Sequence, residues 1–269
     1  LLPDPLHAMP VTPHAATPPR PVPRPVAPGQ PFTWLARGWA DLLRQPVPGL
    51  LHGLATAIFG ALLVALAHDR FWLLAGAFSG FMLVAPVVAT GLYAISRGLE
   101  RQQPVGLADA LATWRPRDGR LVLFGVLLAL AGTGWVLTSA SLITRFAAAP
   151  VNSPSDFLHV VVLARDGWLF ETWLVLGSVL AAPMFASSVV ALPLLLDRPV
   201  NVRDAVLTSV RTALLNPAPM ALWATLILVV TLIGMATALV GLIVAVPWLG
   251  HASWHAYRDL VEPQAGSER

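Results

Sequence analysis

Long uncharged runs alternate along this chain with short segments that hold nearly all of its charge. The runs cover residues 49–67, 71–96, 121–144 and 172–196, and then 212–257, which contains no Asp, Glu, Lys or Arg. A bilayer core of about 30 Å takes about 20 helical residues. Each of the first four runs is therefore one spanning helix. The last, at 46 residues, is two helices joined by a tight turn near residues 234–241. The pattern predicts an all-α membrane protein with six transmembrane helices.

Between the apolar runs the periodicity changes from continuous to amphipathic. Residues 33–44 place Leu35, Trp39 and Leu42 on one stripe and Arg37, Asp41 and Arg44 on the opposite one, the pattern of a helix lying in the head-group plane. Residues 202–215 repeat the theme, with Asn201 as N-cap, Asp204 three positions on, and Val202, Val206, Val210 and Leu214 toward lipid. A further surface helix is expected over 156–164.

These segments recur. Residues 39–48 (WADLLRQPVP) align with 210–219 (VRTALLNPAP), and 110–116 (ALATWRP) is a weaker third copy. Each ends at a proline before a span. The second helix of each pair carries its own proline, at Pro86, Pro183 and Pro247. After the first two, Glu100-Arg101 matches Asp197-Arg198 and Asp109 matches Asp204. The predicted architecture is three repeated helical hairpins, each preceded by an amphipathic interfacial helix. Pro86, Pro183, Pro193 and Pro247 kink their helices by freeing carbonyls. Gly53, Ala57, Ala61 and Ala65 form a small-residue ridge on the first span, and Gly76 with Gly80 forms a GxxxG on the second, both suited to close helix packing.

Composition sharpens this picture. Hydrophobic residues make up 56% and charged residues 12% of 269 positions, roughly half the charge of an average soluble domain at about 25%. There is no cysteine, which excludes disulfides, thiolate metal sites, iron–sulfur clusters and cysteine nucleophiles. All 17 basic residues are arginine. Fourteen of them lie in the two termini and in the loops after the second and fourth spans, against Arg70, Arg145 and Arg165 on the other side. The positive-inside rule makes the fourteen cytoplasmic. The expected location is the bacterial inner membrane, multi-pass, with both ends in the cytoplasm. A net charge of +3 spread over helix ends points to phospholipid head groups and away from nucleic acid.

Residues 1–30 hold ten prolines and few large apolar side chains, so they are expected to be a disordered or extended cytoplasmic tail. The membrane domain is 31–261, and 262–269 is a C-terminal tail.

Candidate chemistry is sparse. No HExxH, Walker loop, dinucleotide fingerprint or nucleophile elbow is present, so no catalytic residue and no dedicated metal centre is assigned. His251 and His255 lie one turn apart on the last span, and His52 lies one turn inside the first. These three are the candidate cofactor-binding residues, because neutral imidazoles on one face can ligate haem or a transition metal. The bland alternative is an aromatic and basic belt at the helix exit, with histidines bonded to nearby backbone. Glu171, at the outer end of the fourth span, is expected to pair with Arg145 or Arg165. No cofactor is required; bound lipids are expected.

The strings PFTWLARGW (31–39), GLYAISRGLE (91–100), LPLLLDR (192–198) and GHASWHAYRDL (250–260) resemble a family of predicted proteobacterial integral membrane proteins of unknown function. Some members of that family are labelled putative cytochrome c oxidase subunit. The resemblance implies a respiratory setting and transfers no catalytic residue. The function expected from these readings is a non-catalytic accessory or scaffold subunit of a larger inner-membrane complex, respiratory or photosynthetic, whose partners are lipids and other membrane subunits. The alternatives are a transporter or lipid-handling protein, with a chamber between Pro86, Pro183 and Pro247, and a haem- or metal-binding membrane protein.

Overall fold

The computed structural model describes residues 21–67, 89–103, 119–164 and 168–263, with isolated positions 74, 77, 81, 105, 106 and 108. Among these the chain is helical: α1 Gln30–Arg44, α2 Pro46–Ala67, α3 Thr90–Glu100, α4 Gly119–Phe146, α5 Trp168–Ser188, α6 Ala191–Asp197, α7 Val202–Leu215, α8 Pro217–Ala236 and α9 Leu242–Leu260. The expected outer surface helix is a short turn, Pro154–Asp156, running into a π-helical turn, Phe157–Val162. Extended pairing among the described residues is limited to one antiparallel bridge, Pro23 with Val261.

Four helical stretches are long and apolar enough to cross a membrane: Pro46–Leu66, Gly119–Phe146, Trp168–Asp197 and Pro217–Ala236, with mean hydropathies of 2.0 to 2.2. α9 is less apolar, because its last turns carry His251, His255, Arg258 and Asp259. The second expected span is described only from residue 89 onward, apart from three single positions. Pro86, the Gly76/Gly80 pair, the 110–116 copy, Arg70, Arg115, Arg117 and Arg165 lie outside the described residues.

The two described lead-in helices end alike. α1 breaks at Gln45 (φ −133, ψ 71) and α7 at Asn216 (φ −124, ψ 54), and a proline opens the apolar helix that follows each. Proline is at home there because the first-turn N–H has no intrahelical partner. At the other end of the last apolar run, the turn between α8 and α9 passes through Ala238 and Leu239 in the left-handed region (φ 51 and 69) and is tied by Gly241 N–H donating to Thr237 Oγ1 at 2.8 Å.

Burial is concentrated at one end. Leu92 and Ile95 of α3, Leu192, Leu194 and Leu195 of α6, and Trp254, Tyr257 and Leu260 of α9 are almost wholly buried, and Trp34 of α1 meets Trp223 of α8 edge to face at 5.6 Å. α1 and α7 cover this core, while the most apolar 18-residue windows of the span-length helices are only 22–39% buried. That division follows from the sequence. The outer apolar residues need no protein cover if lipid is their solvent, whereas the amphipathic helices must bury one face in protein.

The expectation for α1 needs one correction. Leu35 and Leu42 do face protein, but so does Asp41, together with Trp34 and Gly38, and Trp39 is partly exposed against Trp248. A second apolar stripe, Phe32, Leu43 and Val47, faces outward and continues into Leu50, Leu54 and Ile58 of α2. Arg37 and Arg44 lie between the two faces.

Prolines and small residues explain the closest approaches. Pro247 cannot hydrogen-bond the carbonyl of Ile243, four residues earlier. Gly53 of α2 sits against that carbonyl so closely that a Cβ would collide with it. Ala57, next on the ridge, packs with Leu239 and Leu242, whereas Ala61 and Ala65 are exposed. The α5–α6 break at 189–190 precedes Pro193, and Ser209 of α7 fills it: Val190 N–H donates to Ser209 Oγ at 3.1 Å, and Ser209 Oγ donates to the Ala186 carbonyl at 2.7 Å.

Residues 21–26 of the proline-rich segment dock on the ends of two helices. Arg24 N–H donates to the Leu260 carbonyl (2.8 Å) and Glu262 N–H to the Val22 carbonyl (3.0 Å). Asn216 accepts from Val26 N–H (2.8 Å) and donates to the Arg24 carbonyl (3.0 Å). An extended chain without internal bonds thus satisfies its backbone on the ends of α7 and α9.

Candidate functional site

The polar side chains cluster at the buried end, in two groups. The first is an ionic lattice that joins helix termini. Asp197, at the end of α6, accepts from Arg101 Nη2 (2.9 Å) and from the Tyr257 hydroxyl (2.8 Å). Glu100, at the end of α3, accepts from Trp254 Nε1 (3.0 Å) and Arg258 Nε (2.9 Å). Asp259 accepts from Gln30, Trp34 Nε1 and Arg37 at 2.7 to 3.1 Å. The acidic–basic pairs matched between the first two repeat copies in the sequence thus meet across space, Arg101 of one on Asp197 of the other.

The second group contains the candidate histidines. α9 presents His251 and His255 one turn apart, toward α1, α2 and α3. His255 Nε2 is 2.8 Å from Asp41 Oδ2, Ser96 Oγ of α3 donates to the same Asp41 oxygen at 2.8 Å, and His251 Nδ1 is 2.8 Å from Ser96 Oγ. His52 of α2 is buried and near enough to act electrostatically on His251. Asp41 lies at the centre, 3% exposed, with Arg44 Nη1 3.9 Å from its other oxygen. Burial alone would raise its carboxyl, but hydrogen bonds from His255 and Ser96 and the neighbouring imidazoles hold it below the ordinary carboxylate value.

Valence fixes the proton positions. An ionised carboxylate only accepts, so the single Ser96 hydroxyl proton points at Asp41. Ser96 Oγ must then accept from His251 Nδ1–H. That tautomer leaves His251 Nε2 as a bare lone pair, and this atom is buried with no hydrogen-bond partner. Ser, His and Asp are all present, but the carboxylate holds the serine and not the imidazole, and Ser96 is 1% exposed. The order is not that of an activated nucleophile.

The three sequence candidates therefore do come together, around residues that sequence reasoning passed over. Asp41 was placed on the polar stripe of α1; its position three and seven residues after Gly38 and Trp34 was the signal that it faces inward. Ser96 carried no signal of its own. No group of three or more His, Cys, Asp or Glu side chains among the described residues is placed to hold a metal ion. At the far end, Glu171 makes no ion pair with Arg145 among the described residues; the Arg145 guanidinium lies 5.8 Å over the Phe146 ring instead. A groove of about 670 Å³ there is lined by α4 alone, from Leu137 to Phe146, so it is a surface furrow and not a chamber.

Residues 73–197 match the family described as "Predicted integral membrane protein (DUF2189)". The match covers a little under half of the chain and includes α3 to α6 with Ser96, but not the helices that carry Asp41, His52, His251 and His255. No curated protein and no solved structure matches the chain. The similarity to predicted membrane proteins and the four helices of spanning length and hydropathy lead to one conclusion: this is a multi-pass integral membrane protein.

Proposed function

We propose that the chain is a non-catalytic accessory or scaffold subunit of a larger bacterial inner-membrane complex. The observation that carries this reading is how the polar groups are used. The lattice around Asp197 and Glu100 and the cluster around Asp41 tie one helix to another, while long faces such as Leu54, Ile58, Phe59 and Leu62 of α2 stay uncovered. Ala61, exposed on the small-residue ridge, suits a neighbouring subunit's helix. A respiratory or photosynthetic complex is the setting we favour, on the family resemblance.

The topology we propose with it has six spans in three hairpins, the second over 71–96 and the sixth along α9, with both termini cytoplasmic. A transporter reading would draw support from a chamber beside the kinked helices. At Pro247 the freed carbonyl abuts Gly53, which favours packing over transport.

The test is solubilisation from the native membrane in mild detergent, followed by size separation and mass spectrometry. The expected outcome is comigration with stoichiometric membrane partners. A monodisperse free monomer that retains its fold and carries no partner would overturn the reading.

A further inference from the structure

We propose that the outward face of α7 is a docking surface for anionic phospholipid, with Arg203 and Arg211 on the head-group phosphates and Leu207 and Leu214 in the apolar boundary beneath them. The inference rests on the integral-membrane conclusion and is independent of the scaffold reading.

The position of α7 is set by how its two ends are fastened. Arg198, just ahead of it, donates to the Glu262 carbonyl. Asn216, just after it, donates to the Arg24 carbonyl at 3.0 Å, and Arg24 N–H donates to the Leu260 carbonyl. Both ends therefore lie near the C-terminal end of α9, and Pro217 opens a helix of spanning length and hydropathy directly afterwards. α7 thus lies across the end of the bundle, where a span meets the head groups.

The face it turns outward is not the valine stripe expected from the sequence, because Val202 and Val206 pack against the protein core. Arg203, Leu207, Arg211 and Leu214 are exposed instead, Leu214 at 75%. Steps of four, four and three residues put them on one side of a single unbroken helix.

The internal repeat supplies a comparison. Carried back along the helices, the alignment of 39–48 with 210–219 sets Trp34, Gly38 and Asp41 against Ala205, Ser209 and Thr212, and all six are buried. The same face of α1 and α7 is therefore turned inward. On the outward face Phe32 and Ala40 of α1 correspond to Arg203 and Arg211 of α7, while Leu43 corresponds to Leu214. α7 carries two cations where its sister helix is apolar.

Those cations have no counter-charge in the protein. Arg203 and Arg211 make no hydrogen bond or ion pair among the described residues. The one acid of α7, Asp204, is taken up at the N-cap, where its carboxylate accepts from Asn201 Nδ2 at 2.9 Å. Exposed arginines alternating with exposed leucines complement an anionic leaflet. A guanidinium matches two phosphate oxygens, and the leucines enter the acyl boundary. Because the leucines adjoin a span, lipid fits this face better than a water-soluble acidic partner does.

The experiment uses the full chain with Leu207→Cys as its single cysteine, labelled with a fluorophore and reconstituted in vesicles of phosphatidylcholine and phosphatidylglycerol. A shallow spin label is placed on one lipid or the other. The expected result is stronger quenching by labelled phosphatidylglycerol, weakened by added salt. The preference should fall about fivefold for each arginine removed in Arg203→Gln and Arg211→Gln, and the corresponding lysine variants should keep most of it. All four side chains point away from the protein, and either single variant serves if the double one fails to fold. Equal quenching by the two lipids overturns the proposal, as does a preference that survives in the folded double glutamine variant. Displacement by inorganic phosphate beyond that by chloride of equal ionic strength would mark a soluble-anion site and overturn it too. A cross-link from position 207 to another protein in native membranes would assign the face to a neighbouring subunit, with the same consequence.

Discussion

Gly53 faces a main-chain oxygen that a proline has released, and this one position shows how single residues set the packing. The Ile243 carbonyl cannot be answered within α9 because Pro247 has no N–H, and α2 approaches it closely only because residue 53 has no side chain. Gly53→Ala should therefore separate α2 from α9 and destabilise the protein by about 1–3 kcal/mol or more, the usual scale for overpacking against something that cannot yield. Gly134→Ala on α4, with nothing within 4 Å of the added carbon, should be neutral or mildly stabilising. Thermal unfolding of the two variants in the same detergent checks this; equal midpoints would mean that the approach at Gly53 is not a constraint. The same scale holds the main surprise of the site. Asp41 reads as a solvated acid beside Arg37 and Arg44, yet it is the hub of a buried network. Composition and charge pattern do not distinguish these roles, because an acid is buried only where other helices bring donors to it.

At the scale of elements, the boundaries were legible. Pro46 and Pro217 open helices, Asn201 caps α7 by accepting from Asp204 N–H at 2.7 Å, and the turn near 234–241 separates α8 from α9. The break between α5 and α6 was less so. Pro193 announced a disturbance, but the helix is interrupted and not merely kinked because Ser209 on a different element supplies the missing donor and acceptor. Ser209→Ala should strand a buried N–H and a buried carbonyl and cost about 1–3 kcal/mol. Hydrogen exchange at Val190 should accelerate relative to the core of α9. Unchanged protection at Val190 would show that the break is held by something other than α7. The orientation of α1 also required the fold: its protein-facing and lipid-facing stripes are adjacent, and a hydropathy pattern merges them into one.

For the whole molecule, the distribution of burial is the informative quantity. One end is a packed core of helix termini under two amphipathic helices, and the rest is long apolar helix with little protein cover. A lipid solvent makes the second half stable without further packing. The chain has no native cysteine, so a single introduced one reports its side of the membrane without background. Under the proposed topology, Arg203→Cys should react with an impermeant thiol reagent only from the cytoplasmic face, and Asn152→Cys only from the opposite face. Labelling of both from one side would refute the six-span arrangement. The first twenty residues and the 110–116 copy lie outside the described residues, and the strap at residues 21–29 is fastened by hydrogen bonds to the Leu260 carbonyl, from Glu262 N–H, and to and from the Asn216 side chain. The prolines left this stretch open between disordered and extended, and they gave no sign that residues 21–29 would dock on the ends of α7 and α9.

The sequence by itself determined what depends on composition and local periodicity: helices throughout, membrane-length apolar runs, amphipathic lead-ins, their caps and their prolines. It also put His251 and His255 on one face, since helical spacing alone does that. Only the tertiary structure decided that Asp41 turns inward, that Ser96 relays its charge to His251, that Gly49 stands before a bare imidazole nitrogen, and that Arg101 meets Asp197. The physical reason is that these hydrogen bonds and ion pairs join residues 55 to 229 positions apart, and such pairings are chosen by how helices pack, which no local pattern encodes.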